Sequence, residues 1–166
     1  MYKQSRAVGT ALVAVACAAC SKAAPGPVVA LTPAEAIWTG QLQPTEQNTG
    51  GVEASRRTMI DGRVVMQADK DYPTRTTIDV SMGTPNRNSS VTWALVPDRC
   101  GTGGVPVLPP SAFSPIEVGP SGRGEVTVVL PFELPTQGSY HVNIYEANTA
   151  SLAAVQACAE LSMHAK

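Results

Sequence analysis

Few side chains in this sequence can do chemistry. Its 166 residues hold two histidines, His141 and His164, and four cysteines, Cys17, Cys20, Cys100 and Cys158. A catalytic metal site commonly needs three protein ligands drawn from imidazole, thiolate and carboxylate, and the two histidines alone fall short of that. In the run Ser139 to Glu146 (SYHVNIYE), strand alternation sets His141 on the side of Asn143 and Tyr145, opposite Val142 and Ile144. There it reads as a surface or half-buried hydrogen-bonding residue, and His164 reads as part of a frayed tail. No nucleophile-elbow motif supports a serine hydrolase triad. The glycine-rich Cys100-Gly101-Thr102-Gly103-Gly104 lacks the Gly-Lys-Ser/Thr ending of a phosphate loop. Asp69-Lys70-Asp71 is far short of a calcium loop and reads as a solvated turn. On these residues no catalytic group, metal ligand or cofactor is assigned, and the expectation is a protein that is not an enzyme.

The elements that would carry these residues are short strands. Ile37 to Leu42 alternates, with Ile37, Thr39 and Gln41 opposite Trp38 and Leu42. Thr58 to Ala68 reads as a strand with a bulge at Asp61-Gly62. Thr74 to Met82 places Thr76, Ile78, Val80 and Met82 on one face, and Val91 to Val96 does the same for Val91, Trp93 and Leu95. Further strands are read at Gly124 to Leu130, Ser139 to Glu146 and Val155 to Leu161, with a helical turn near Thr149 to Ala154. About seven or eight such strands call for an all-β two-sheet sandwich or a small barrel. Trp38 and Trp93 read as core residues.

The long connection from Pro97 to Pro115 holds the apolar, proline-stiffened stretch Val105 to Pro115 (VPVLPPSAFSP). One reading makes it a lid packed over one end of the domain. The other makes Leu108 and Phe113 exposed partner-binding anchors, since a stiff loop loses little entropy when it docks.

The N-terminus carries an export signal. Lys3 and Arg6 precede the apolar run Ala7 to Cys20, which is too short to span a hydrocarbon core of ~30 Å comfortably. The run ends in small residues and a cysteine, followed by Ser21-Lys22, an arrangement that resembles a bacterial lipobox. Cys20 is the favoured lipidation site, because the polar mature chain starts there, and Cys17 is the alternative. An uncleaved anchor or a plain secretory signal are the other readings of the segment. Residues 1–20 are thus taken as a lipoprotein signal peptide, 21–34 as a flexible, proline-containing tether, and 35–163 as one domain. Export implies an oxidising compartment, in which the cysteines beyond the signal read as a bridge.

Composition narrows the function classes. Charged residues make up 15% of the chain and the net charge is -1, which leaves no electrostatic footprint for nucleic acid. A hydrophobic content of 43% can form a core and argues against disorder. Fourteen glycines and fourteen prolines interrupt helices and favour strands joined by turns.

From Thr74 onward the order of features resembles the copper–zinc superoxide dismutase-like sandwich, and more closely the chordin-type (CHRD-like) domains of bacterial lipoproteins. The matching segments are Trp93-Ala94-Leu95-Val96, the loop Cys100 to Gly104, Pro109-Pro110-Ser111-Ala112-Phe113, the strand Tyr140 to Tyr145, and Gln156 to Leu161. The resemblance implies a Greek-key-type β-sandwich and makes Cys100 and Cys158 neighbours, joined by a disulfide between the long loop and the last strand. It also exposes a departure. Where the family's metal-binding histidines would stand, this chain has Ala94 and Val96, and the later strand ends in Tyr145. Methyl and isopropyl groups donate no electron pair, so the domain reads as a metal sandwich that has lost its metal.

The function expected from all this is a non-enzymatic, lipid-anchored protein on the periplasmic side of the cell envelope. It would be a structural or interaction subunit docked on an unidentified envelope or membrane complex. Two alternatives remain: a diverged copper- or zinc-binding domain that uses His141, and a small-ligand binding module in the space vacated by the metal.

Overall fold

The computed structural model describes residues 31–45, 59–145 and 155–166. Cys17, Cys20, the signal segment, most of the tether and the helical turn expected at 149–154 lie outside the described residues. Eight antiparallel strands are formed: β1 (Ala36–Pro44), β2 (Asp61–Ala68), β3 (Thr76–Gly83), β4 (Ser89–Pro97), β5 (Ile116–Val118), β6 (Arg123–Leu130), β7 (Tyr140–Tyr145) and β8 (Val155–Ala165). One short 3-10 turn, Pro110–Ala112, lies in the long β4–β5 connection.

The all-β class is as expected, but the sandwich is not. The strands close into a barrel in the order β1-β2-β3-β6-β5-β4-β7-β8. β1 pairs with both β2 and β8, and β4 with both β5 and β7, so neither ends a sheet. The element that sequence reading misses is also the one that closes the ring. β5 has three residues between prolines and turns, too few to show a period, yet Ser89–Val91 pair with Val118–Ile116, and Val118 pairs with Gly124 of β6. Alternation is the same in a sandwich and a barrel, and only these long-range pairings decide between them.

The interior follows from that alternation. Trp38 and Leu42 of β1, Val64 and Met66 of β2, and Ile78 and Val80 of β3 point inward with Trp93, Leu95, Val142 and Ile144. Each fully buried side chain of this size contributes roughly 1.5–3 kcal/mol relative to exposure. The indole of Trp38 donates to the Pro135 carbonyl at 2.7 Å and meets the Tyr140 ring edge-on at 5.5 Å, which satisfies its one polar atom inside the core. The outer face of β2, β3 and β6 carries Arg63, Asp79, Ser81, Glu125 and Thr127, with the Thr127 hydroxyl donating to Asp79 at 2.6 Å. On these three strands the inner face is apolar and the outer face mostly polar, with Val65 and Val129 among the polar residues.

Two further expectations are corrected. Gly62 makes no bulge. It pairs in regular register with both Leu42 and Met82, and a Cβ there would collide with the Ser81 carbonyl, so the glycine permits close strand approach. His164 is not frayed, because β8 runs on to Ala165 and pairs His164 with Ile37. Leu31 packs against the core, and Thr32 begins a turn in which the Glu35 carboxylate accepts from both the hydroxyl and the N–H of Thr32. That closure is the threonine–glutamate cap of a helix start, used here for a single turn.

Candidate functional site

Chemistry-bearing residues gather on the outer face of β4, β7 and β8. Register sets Ala94 beside Asn143 and Asn143 beside Cys158, which in turn faces Gln43 of β1. One step along, Val96 lies beside His141 and His141 beside Glu160. An outer face normally meets water, yet Ala94, Val96, His141, Asn143 and Cys158 are all buried. Over Val96, His141 and Cys158 the cover is the start of the β4–β5 loop, through Gly104, Asp98 and Cys100.

That loop is held at several points. Cys100 and Cys158 form a disulfide with a Cα–Cα distance of 6.0 Å, well within the range such a bond requires. The pairing is the one the resemblance implies. Val107 N–H donates to the Leu95 carbonyl at 3.0 Å, and the Trp93 indole donates to Ser114 at 2.8 Å. The glycines of the Cys100–Gly104 run have a structural reason. Gly101 takes a φ of +82°, and a Cβ on Gly104 would sit 2.6 Å from Val96 Cγ1. The run is a turn clamped onto β4, not a phosphate cradle.

The proposed partner anchors fare differently from their expectation. Phe113 is buried, its ring 5.0 Å from Trp93 at an edge-on angle of 63°. Leu108 is half-buried against the core. The stretch is therefore a lid, because the apolar side chains that would serve a partner are already used to cover β4. Val105 is the apolar residue it leaves in solvent, at 81% exposure.

His141, expected at or near the surface, is fully buried because the loop at Asp98 closes over it. Its Nδ1 is 3.0 Å from the Asp98 carbonyl oxygen. A carbonyl only accepts, so Nδ1 carries the proton and donates, which leaves Nε2 as a bare acceptor. Nε2 is buried and has no hydrogen-bond partner. Asp98 itself adopts a φ of +70° to present that carbonyl. Arg99 and Glu160 face each other above at 3.8 Å, but both are well exposed and contribute little.

This donor set does not fit copper or zinc. One imidazole nitrogen is available, its register neighbours Val96 and Ala94 donate nothing, and Tyr145 is buried at the end of β7. Among the described residues, no group of three or more His, Cys, Asp and Glu side chains could hold a metal ion. His164, the other imidazole, pairs at the far end of β8.

Beside the disulfide the outer face opens into a pocket of about 760 Å³ between β1, β7 and β8, lined by Gln41, Gln43, Thr45, Asn143 and Glu160. Sequence reading named none of these, apart from placing Gln41 and Asn143 on strand faces. Their only signal is parity, and the partners lie a whole barrel apart in sequence. A second groove of about 770 Å³, at the end of the barrel near Asp61, Gly83 and Arg123, has no buried polar side chain facing it. The acidic turn keeps its structural role. Asp69 accepts from Thr77 at 2.8 Å and from the N–H groups of Asp71 and Tyr72, and these bonds, the Thr77 one foremost, hold its carboxyl below the usual carboxylate range. Comparison of the chain with protein-family models, curated proteins and solved structures finds no match.

Proposed function

We propose that this is an exported, lipid-anchored protein that acts by binding rather than by catalysis. Its barrel would be a superoxide dismutase-like domain of the chordin type that has lost its metal set. The observation that carries this reading is the buried, apolar pair Ala94 and Val96 on the outer face of β4, where the resemblance calls for histidines. Two features support the relationship. β4, β5, β6 and β7 stand in the order β7-β4-β5-β6, the arrangement of a Greek key. The Cys100–Cys158 bridge ties the long loop to the last strand. The finer Greek-key assignment belongs to this proposal, and so does the lipid. Anchoring rests on Lys3, Arg6, the apolar run and Cys20.

Docking on an envelope or membrane-complex partner then falls to the surface of the pinned loop. With Phe113 and Leu108 turned to the core, Val105, stiffened by Pro106, is the apolar contact point. The test is affinity capture of the full chain from gently solubilised membranes. A discrete partner should be recovered with the wild type and lost with Val105→Asp, while Cys20→Ser should release the protein from the membrane. Equal recovery of the partner with Val105→Asp would move the interface elsewhere. Retention of Cys20→Ser in the membrane, with Cys17 intact, would overturn lipidation at Cys20.

A further inference from the structure

We infer that the seam between His141 and the start of the β4–β5 loop is an acid-sensitive latch, released when the imidazole takes a second proton. This goes beyond the docking reading and needs neither the lipid nor the partner. His141 is fully buried, and its Nδ1–H donates to the Asp98 carbonyl at 3.0 Å. Nε2 is the buried side-chain atom left without a hydrogen-bond partner among the described residues. The latch is thus built for the neutral ring. A second proton must go on Nε2, which turns a bare acceptor into a buried, charged donor with nothing to receive it. Opening the seam lets water take that bond, so the proton and the open state favour each other.

The groups around the ring do not offset that charge. On β4 its neighbours Val96 and Pro97 carry none, and on β7 Asn143 shares its side of the strand uncharged. On β8 the register partner is Glu160, whose side chain is 54% exposed and lies 3.8 Å from Arg99. Its carboxylate therefore meets water and a cation, not the buried nitrogen. The loop brings the exposed Asp98, which meets the ring through its main-chain oxygen, and the cationic Arg99. Cys100 is held in the disulfide and does not titrate. The release is local. The Cys100–Cys158 bond keeps the loop captive, and the bonds from Val107 to Leu95 and from Trp93 to Ser114 hold its later part. Asp98 sits at a φ of +70°, so loss of the ring's bond frees a residue whose backbone is already strained.

A free imidazole takes its second proton near pH ~6.5. The latch is therefore whole above that value and weakens as pH falls below it, with the opening equilibrium rising up to about tenfold per pH unit for one proton. The Asp98 N–H, which donates to the Ser139 carbonyl at 2.9 Å, reports the opening. The test is hydrogen exchange of the full chain in detergent at about pH 7.5 and about pH 5, read as protection relative to an unstructured peptide. Wild-type protection at Asp98 should fall by roughly tenfold to thirtyfold between the two. His141→Asn keeps an amide donor for the Asp98 carbonyl and has no second proton to gain, so its protection should be the same at both. His164→Asn, exposed on β8, should behave as the wild type does. The inference is overturned if wild-type protection does not fall, if His141→Asn loses it equally, or if His164→Asn abolishes the fall. Should His141→Asn not fold, the ring nitrogen NMR signals of the wild type decide. A second proton gained in step with the loss of protection upholds the latch, and a doubly protonated His141 under a protected Asp98 overturns it.

Discussion

The Nδ1 of His141 lies 3.0 Å from the main-chain oxygen of Asp98, across the seam where the β4–β5 loop leaves its strand and folds back over β7. That bond fixes the ring's tautomer and strands Nε2 in the interior. It joins a loop residue with left-handed backbone to a strand residue whose neighbours are apolar, so the imidazole holds the lid without completing a metal site.

Replacing His141 tests this directly. His141→Leu removes one hydrogen bond and one orphaned acceptor together, and Asp98 is exposed enough for its carbonyl to turn to water. The two effects offset, so the unfolding free energy should change by less than ~1 kcal/mol. Urea unfolding measures it. A loss of more than ~3 kcal/mol would mean that Nε2 has a partner in solution.

The disulfide should matter more. Cys100 and Cys158 are separated by 58 residues, and in the chain-entropy model a loop of that length contributes about 4 kcal/mol. The Cys100→Ser, Cys158→Ser double variant should show a urea midpoint lowered accordingly, and reduction of the wild type should give the same shift. An unchanged midpoint would mean the lid holds by packing alone.

Phe113 and Val105 divide the lid's two roles. Phe113→Ala opens a cavity against Trp93 and should cost about 3–5 kcal/mol. Val105→Asp alters an exposed side chain and should stay within ~0.5 kcal/mol of the wild type. Thermal unfolding of the two variants separates them, and a harmless Phe113→Ala would contradict the clamped loop.

Acid should loosen the turn after β2. Asp69 and Glu35 both have carboxyls held below the usual range, Asp69 chiefly by Thr77 and Glu35 by the Thr32 hydroxyl and N–H. A folded-state pKa below the unfolded one gives stability that is present above the unfolded value and lost as pH falls through the folded value. The loss should begin below about pH 4 and continue downward. Asp69→Asn should flatten that part of the stability curve, as read from unfolding midpoints across acid pH.

Sequence legibility followed the range of the interactions involved. The strand from Thr76 to Met82 is readable because its burial alternates without interruption, and all four inward residues are inside. β4 is readable on one side only. The alternation puts Val91, Trp93 and Leu95 on one side, yet Ala94 and Val96 on the other side are buried too, and the Gly104 turn that packs on Val96 follows a course no local pattern reveals. The same loop explains why His141 reads as a surface residue and is sealed in. Barrel closure depends on β5, three residues long, and the pocket depends on Gln43 meeting Cys158 and Cys158 meeting Asn143. Such pairings are properties of the finished sheet. The cysteine pair was legible only through the resemblance, which supplied the neighbourhood that spacing does not.

The claim that this barrel binds without metal is tested most directly by elemental analysis. The full chain would be unfolded, refolded in excess copper and zinc, and passed through gel filtration before its bound metal is measured. The account predicts metal far below stoichiometry, unchanged by His141→Leu. One copper or zinc ion retained per chain, and lost in His141→Leu, would contradict it.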